Sequence, residues 1–375
     1  MFSGGLVGPI FAPFVRREFT APIFLVGLAV SGYFVVRMLT EFPIGSMSDK
    51  VGPRWPLIVG RLFGIVGAAI CWQTKDIWTL IFARAIWGVG DASFFCIGMT
   101  YVSSLFPAGK RGRALGVFQA VELTGSFIGQ TAGGFLADQY GLRFNFFLSI
   151  LLGFVAFGVV LLLKGYGASG KFQGVRSLLP NFPAMRSLLG GTLLIVCIIN
   201  LLCMMMNMGV MGTLMPLYAT EVLGFGLSGY AFLVSGMTVG NVAGNLLGGL
   251  LSDRFGRKRV LAGGFILGIF SLIGISAVTN YFYLSAFMLV NGLFWGIIYG
   301  VTPAFVADSA PPEKRGSAIG LYRTFFDLGG VVGPVAYSAI IPLFAGSFGY
   351  TVAFYLAVVS VTVNLLLVRR LNEKK

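Results

Sequence analysis

Two stretches of this 375-residue chain match at one fixed offset of 204 residues. Gly45-Ser-Met-Ser-Asp49-Lys50-Val-Gly52-Pro53-Arg54 returns as Gly249-Leu-Leu-Ser-Asp253-Arg254-Phe-Gly256-Arg257-Lys258. The same spacing carries Arg111-Gly112 to Arg315-Gly316, Gly125 to Gly329 and Gly129 to Gly333. One spacing held without a gap from residue 45 to residue 133 marks a structural unit used twice. In a strongly apolar chain, a duplicated unit points to the repeat architecture of transporters.

The chain is that apolar. Hydrophobic residues make up 57% of it, charged residues only 11%, and the mean hydropathy is +0.88. A soluble domain carries about a quarter charged residues. Apolar stretches long enough to span a bilayer recur along almost the whole length, which predicts an all-α polytopic membrane protein. No basic n-region with a cleavage site precedes them. The four cysteines, Cys71, Cys96, Cys197 and Cys203, sit inside apolar stretches without metal-ligand spacing, so they read as packing residues and no metal site is expected.

The formal charge of +14 suggests nucleic acid only until its distribution is read. With the Asp49 loop placed in the cytoplasm, inside segments hold 19 Lys and Arg residues, and outside loops hold 4, Arg16, Arg17, Lys75 and Arg143. That asymmetry is the positive-inside rule, and it puts the loops after helices 2 and 8 in the cytoplasm of a cell (inner) membrane. The partner is a lipid bilayer, not nucleic acid.

Helices are expected at about 21–47, 55–74, 77–105, 113–137 and 142–164, then at about 188–218, 226–251, 258–279, 282–309, 315–343 and 348–369. The domains are then an N-terminal bundle over 1–164, a polar cytoplasmic linker over 165–187 and a C-terminal six-helix bundle over 188–375. Met1 to Phe14 is apolar but spans only about 21 Å as a helix, too short to cross. The repeat maps Gly5 onto Gly209 and Gly8 onto Gly212, inside the helix that begins near residue 188. Since 188 − 204 = −16, helix 1 is expected to lack about 16 residues at its start, through truncation or a late start codon, and the intact protein to have twelve helices.

These features resemble the major facilitator superfamily over essentially the whole chain. The residues that carry the resemblance are Gly45, Asp49, Lys50, Gly52 and Arg54 between helices 2 and 3, and Gly249, Asp253, Arg254, Gly256 and Arg257 between helices 8 and 9. Pro53 departs from the basic residue usual there, which implies a weaker charge network in the first copy. Arg84-Ala-Ile-Trp-Gly88-Val-Gly90 resembles the family's helix 4 motif, whose arginine is implicated in proton coupling. Gly125-x-x-x-Gly129-Gln130-x-x-Gly133-Gly134 resembles the antiporter-associated motif of helix 5, with Gln130 where proline is expected. The resemblance implies a twelve-helix fold of two pseudo-symmetric six-helix bundles, alternating access to a midplane site, and function as a monomer. The physical reading agrees: a glycine every fourth residue lets helices approach closely in lipid. Asp49 and Asp253, at cytoplasmic helix ends, can latch onto basic residues or a helix N-terminus.

A charge at bilayer depth costs at least about 2.5–3.5 kcal/mol and faces protein or water. Eight such residues occur, Arg37, Glu41, Arg61, Arg84, Asp91, Glu122, Arg323 and Asp327, four of each sign. Arg84 and Asp91 are seven apart, two turns along one helical face, and Glu122 lies near mid-depth of helix 5. Asp91 and Glu122 are therefore proton-carrier candidates with Arg84 as modulator; a buried ion pair tying helices 4 and 5 is the alternative. Arg61 is expected to snorkel to the inner interface.

The repeat equivalents of Arg37, Glu41, Arg84, Asp91 and Glu122 are Asn241, Asn245, Met288, Trp295 and Phe326. The first half thus carries the ionisable groups, while Asn207, Asn241, Asn245, Asn291 and Trp295 are substrate-contact candidates in the second. For any one asparagine, a helix–helix hydrogen bond is the commoner role than a substrate contact.

With no histidine, no nucleophile beside a recognisable base and no P-loop, neither an enzyme nor an ATP-driven pump is expected, and no cofactor is implied. The expected function is proton-coupled efflux (antiport) of a small organic molecule. The alternatives are uptake by symport and, in another class, a membrane sensor.

Arg37 and Glu41 share a face of helix 2, as Arg323 and Asp327 share one of helix 11. Counted from the inner loops, Arg37 and Asp327 lie at about 18 Å depth, and Glu41 and Arg323 at about 12 Å. The depths suit an interdomain gate of two crossed pairs, Arg37–Asp327 and Glu41–Arg323; self-neutralising pairs within each helix are the alternative. Charge reversal at Arg37 or Asp327 alone should abolish transport, and reversal of both should restore it. Vesicle flux measures this, and no rescue would remove the crossed arrangement.

Overall fold

Without water to satisfy backbone N–H and C=O groups, each apolar stretch must bond within itself, and helices do so. The structure, a computed structural model, describes residues 2–105, 111–162, 190–309 and 315–371. Among these residues there is no strand. The chain divides into two compact units, Met1–Pro180 and Asn181–Lys375. The linker expected at 165–187 lies outside the described residues, as do the side chains of Gly45, Asp49 and Lys50.

The first unit holds α1, in two segments Phe2–Val7 and Phe11–Glu18, then α2 (Ile23–Val51), α3 (Arg54–Gln73), α4 (Ile77–Ser104), α5 (Arg111–Tyr140) and α6 (Leu142–Leu162). The second holds α7 (Gly191–Val222), α8 (Leu227–Phe255), α9 (Arg257–Ala277), α10 (Tyr281–Ser309), α11 (Arg315–Ile340) and α12 (Phe348–Arg369). Nine helices among the described residues are long and apolar enough to cross a bilayer. Large apolar side chains face outward throughout, among them Phe82, Phe154, Leu250 and Phe282. On a soluble protein such a surface would aggregate; in lipid it matches the solvent.

The N-terminal stretch departs from a single short helix ending near Phe14. It breaks over residues 8–10 and resumes to Glu18. Pro9 has no N–H to give the Gly5 carbonyl, so the ladder lapses there. The turn closes instead through Ile10 N–H to the Val7 carbonyl at 3.2 Å. The second unit disturbs its first helix at the same place: α7 widens to a π-helix over Asn207–Leu214. Residues 212–214 minus 204 are residues 8–10.

The turn after α2 shows why the duplicated motif ends in glycine. Gly52 has φ 83° and Gly256 has φ 88°, with ψ of 159° and 148°. Side chains with a Cβ do not occupy this region, so only glycine turns α2 into α3 and α8 into α9. Arg54 then donates to the Leu161 carbonyl at the end of α6 (2.9 Å), and its equivalent Lys258 donates to the Arg369 carbonyl at the end of α12 (2.7 Å). Arg257 adds a bond to the Ala304 carbonyl at 2.7 Å. Its equivalent, Pro53, has no donor to offer.

Inside each unit the contacts repeat at the same offset. A Cβ on Gly88 of α4 would meet the Tyr33 carbonyl of α2 at 2.5 Å, and one on Gly292 of α10 would collide with the Met237 carbonyl of α8. Gly60 faces Ser93 as Gly264 faces Ile297, and Gly98 faces Phe118 where Thr302 bonds Tyr322 at 2.9 Å. Gly67 abuts Trp87, and the equivalent pair is joined by the Asn291 amide donating to Ser271 Oγ at 3.0 Å. Phe14 stacks near Phe146 at 4.6 Å, and Tyr218 near Tyr350 at 5.5 Å. In lipid such helices gain nothing from hydrophobic burial against each other; close van der Waals packing holds them.

The α8–α10 seam is the tightest among the described residues, with Gly240 and Gly244 interleaving Gly292 and Gly296. A Gly292→Leu change should cost about 3 kcal/mol by overpacking. Gly263 has nothing within 4 Å of an added Cβ, and Gly263→Leu should leave the melting temperature in detergent nearly unchanged. Equal melting temperatures for the two variants would refute this account of the seam.

Candidate functional site

The buried charges of the first unit meet around one tyrosine. Tyr33 on α2 donates its hydroxyl to Asp91 Oδ2 on α4 at 2.8 Å. Its ring lies 4.8 Å from the Arg84 guanidinium and 5.8 Å from that of Arg37. Arg84 also stands over Phe11 of α1 at 4.2 Å and Trp87 at 5.4 Å, while Arg37 stands over Phe34 at 4.9 Å. The negative faces of these rings offset part of the cost of burying two cations in a low-dielectric bundle. The ring cage is nearly closed to solvent, with Phe11, Tyr33 and Trp87 all buried. Arg84 Nε is buried there without a hydrogen-bond partner.

The Arg61 guanidinium lies over the Phe94 ring of α4 at 4.7 Å, within electrostatic reach of Asp91. Among the described residues, neither Arg61 nor Arg84 forms a salt bridge with Asp91; the carboxylate's hydrogen bond is to Tyr33.

Helix geometry explains the convergence. Tyr33 and Arg37 are one turn apart on α2, and Arg84, Trp87 and Asp91 follow a 3–4 spacing on α4, so each set lies on one face. The Gly88 contact brings those faces together, since it packs directly against the backbone of Tyr33. Glu122 is half-buried on α5. Arg84 and Asp91 both contact Tyr33, a residue absent from the sequence reading. One signal for it existed, an aromatic residue one turn from a membrane arginine.

The second unit puts aromatic rings at the equivalent places. Trp295 and Tyr299 of α10 stand 5.8 Å apart, and Tyr299 meets Phe326 of α11 at 5.7 Å. Trp295 and Phe326 are the repeat equivalents of Asp91 and Glu122. Asn291, 1% exposed, uses its amide on Ser271, and its Oδ1 is buried without a partner. Asn207 is buried at the start of the π-helical turn. Asn241 and Asn245 are half-buried on α8, with their backbones against Gly296 and Gly300. In the second motif Asp253 and Arg254 are exposed. Arg37 and Asp327 are 6% and 1% exposed, and Glu41 and Arg323 are half-buried.

Comparison with known proteins places these features in a lineage. The profile of the Major Facilitator Superfamily matches residues 1–240 and 198–375. The chain is 27% identical over 347 residues to multidrug resistance protein MdtG of Proteus mirabilis, covering 91% of this chain and 84% of that one. It is 27% identical over 337 residues to MdtG of Escherichia coli O9:H4, covering 88% and 80%. Among solved structures, nucleoside transporter NupG superposes with a TM-score of 0.81 at 11% identity, covering 100% of this chain and 96% of that one. A bacterial homolog of the human lysosomal transporter Spinster, inward-facing and unoccupied, gives 0.81 at 14% identity, covering 99% and 94%. These likenesses to solved structures establish the fold.

The cage makes a prediction of its own. Arg84→Lys keeps the charge but loses the planar group that stacks on three rings, which should cost about 1–2 kcal/mol. The melting temperature in detergent measures this, and a value equal to wild type would show that the rings do not hold Arg84.

Proposed function

The chain belongs to the Major Facilitator Superfamily, and from that premise we propose that it exports small organic molecules in exchange for protons. It is a multi-pass membrane transporter and not an enzyme. The observation that carries the coupling is the Asp91 carboxylate, held inside the first unit by the neutral hydroxyl of Tyr33 and within electrostatic reach of Arg61 and Arg84. A carboxylate salt-bridged to arginine stays ionised. The Asp91 carboxylate is hydrogen-bonded by a hydroxyl and, among the described residues, is not paired with an arginine, and in this reading it is the group that carries the proton.

Glu122 is the second carrier in this reading. Its support comes from the repeat, because the equivalents of Asp91 and Glu122 stand at the two ends of the Trp295–Tyr299–Phe326 run. Arg84 modulates both. The second unit, with rings and amides where the first has charges, supplies the apolar contacts for substrate, with Asn207, Asn241, Asn245, Asn291 and Trp295 as candidates. The multidrug resistance proteins it resembles support a broad class of amphipathic organic substrates. Arg37, Glu41, Arg323 and Asp327 keep the gating role inferred from their depth. The two glycine motifs act as latches on the cytoplasmic side of an inner membrane, and the protein works as a monomer.

Purified protein in proteoliposomes, given an imposed pH gradient of either sign and a panel of amphipathic compounds, tests the direction. Compound flux opposite to proton flux is expected. Flux in the same direction as protons would replace antiport with symport, and flux indifferent to the gradient would remove proton coupling.

A further inference from the structure

We propose that Tyr33 is the positioning residue of the coupling site, the group that keeps Asp91 in place in both of its protonation states. The inference rests on the reading of Asp91 as a proton carrier. Two arginines act on Asp91 electrostatically, yet its hydrogen bond goes to Tyr33 Oη at 2.8 Å. A phenol is suited to this task because its oxygen both donates and accepts. Toward the carboxylate it donates. Toward the carboxylic acid it can accept the acid proton or continue to donate to the carbonyl oxygen. The proton that loads Asp91 comes from water and returns to it; Tyr33 keeps its own proton throughout.

The phenol is itself fixed. Its backbone carbonyl is packed against Gly88 of α4, and its ring meets Phe34 edge-on at 5.1 Å. The ring also serves as a shared face for Arg37 and Arg84, so the two cations are held on the ring while the anion is held at the hydroxyl. This separation keeps Arg84 beside Asp91 without letting the two close into a permanent pair. In the second unit the equivalent of Tyr33 is Met237 and that of Asp91 is Trp295, so both members of the hydrogen bond are lost together.

The charged and titratable groups that act on Asp91 or share its tyrosine are Arg84 on its own helix, Tyr33 and Arg37 on α2 and Arg61 on α3. A titration of Asp91 therefore has to be isolated from theirs. A pH-difference infrared spectrum of the purified full chain in lipid nanodiscs does this, with the protonated-carboxyl C=O band assigned to Asp91 by its loss in Asp91→Asn. In Tyr33→Phe the band's midpoint should move about one pH unit toward alkaline, since the anion loses a charge-assisted donor. Tyr33→Met, which copies the second half, should move it the same way. Wild-type melting behaviour of either variant is enough for the comparison. An Asp91 band with an unmoved midpoint in the folded variants would overturn the role of Tyr33 and leave Asp91 as the carrier. The absence of any Asp91-dependent band between about pH 4 and pH 10, a span that brackets the near-neutral pKa a working proton carrier needs, would overturn the proton-carrier reading, and this inference with it.

Discussion

The contact between Gly88 and the backbone of Tyr33 sets the geometry on which the first unit depends. Because glycine presents no side chain, α2 and α4 come within backbone contact, and the faces bearing Tyr33, Arg37, Arg84 and Asp91 are pressed together. Buried charges in lipid are costly, and this approach gives them partners: rings for the guanidinium groups and a hydroxyl for the carboxylate. A larger residue at position 88 would widen the helix pair and separate the tyrosine from the acid. The same approach recurs at Gly292 and Met237, so it belongs to the architecture of the repeat.

On that common frame the halves have diverged at defined positions. Trp87, packed on Gly67, becomes Asn291 bonded to Ser271; Phe118, packed on Gly98, becomes Tyr322 bonded to Thr302. These exchanges conserve contact while swapping packing for hydrogen bonding. Where Asp91 and Glu122 stand in one half, Trp295 and Phe326 stand in the other, joined through Tyr299. The backbone scaffold is thus indifferent to whether its inner positions are ionic or aromatic. That tolerance is what the proposed division of labour, protons in one half and an apolar molecule in the other, would draw on.

Much of this was legible in the sequence because the bilayer leaves few options. Twenty or so apolar residues must be a helix, and a fixed offset must be a repeat, so the order and extent of α2 to α12 follow directly. The positive φ of Gly52 and Gly256 explains the motif glycine that the sequence displays only as a pattern. What periodicity could not convey is which neutral residues complete a charged site. Tyr33, Phe11 and Trp87 are ordinary aromatic residues in an aromatic-rich chain, and only interhelical distances single them out. The partners of Arg61 were hidden for a related reason: Phe94 and Asp91 lie on a different helix. The break at Pro9 was visible as a proline, yet its meaning emerges only beside the π-helical turn of α7 at the same repeat position.

The central claim is that Asp91 couples protons to transport while substrate contacts lie elsewhere. Proteoliposomes containing Asp91→Asn, loaded with a compound that the wild type moves, separate these two functions. The account predicts that the variant still exchanges labelled for unlabelled compound across the membrane, and that it no longer concentrates the compound when a pH gradient is imposed. Retention of gradient-driven accumulation by Asp91→Asn would contradict it.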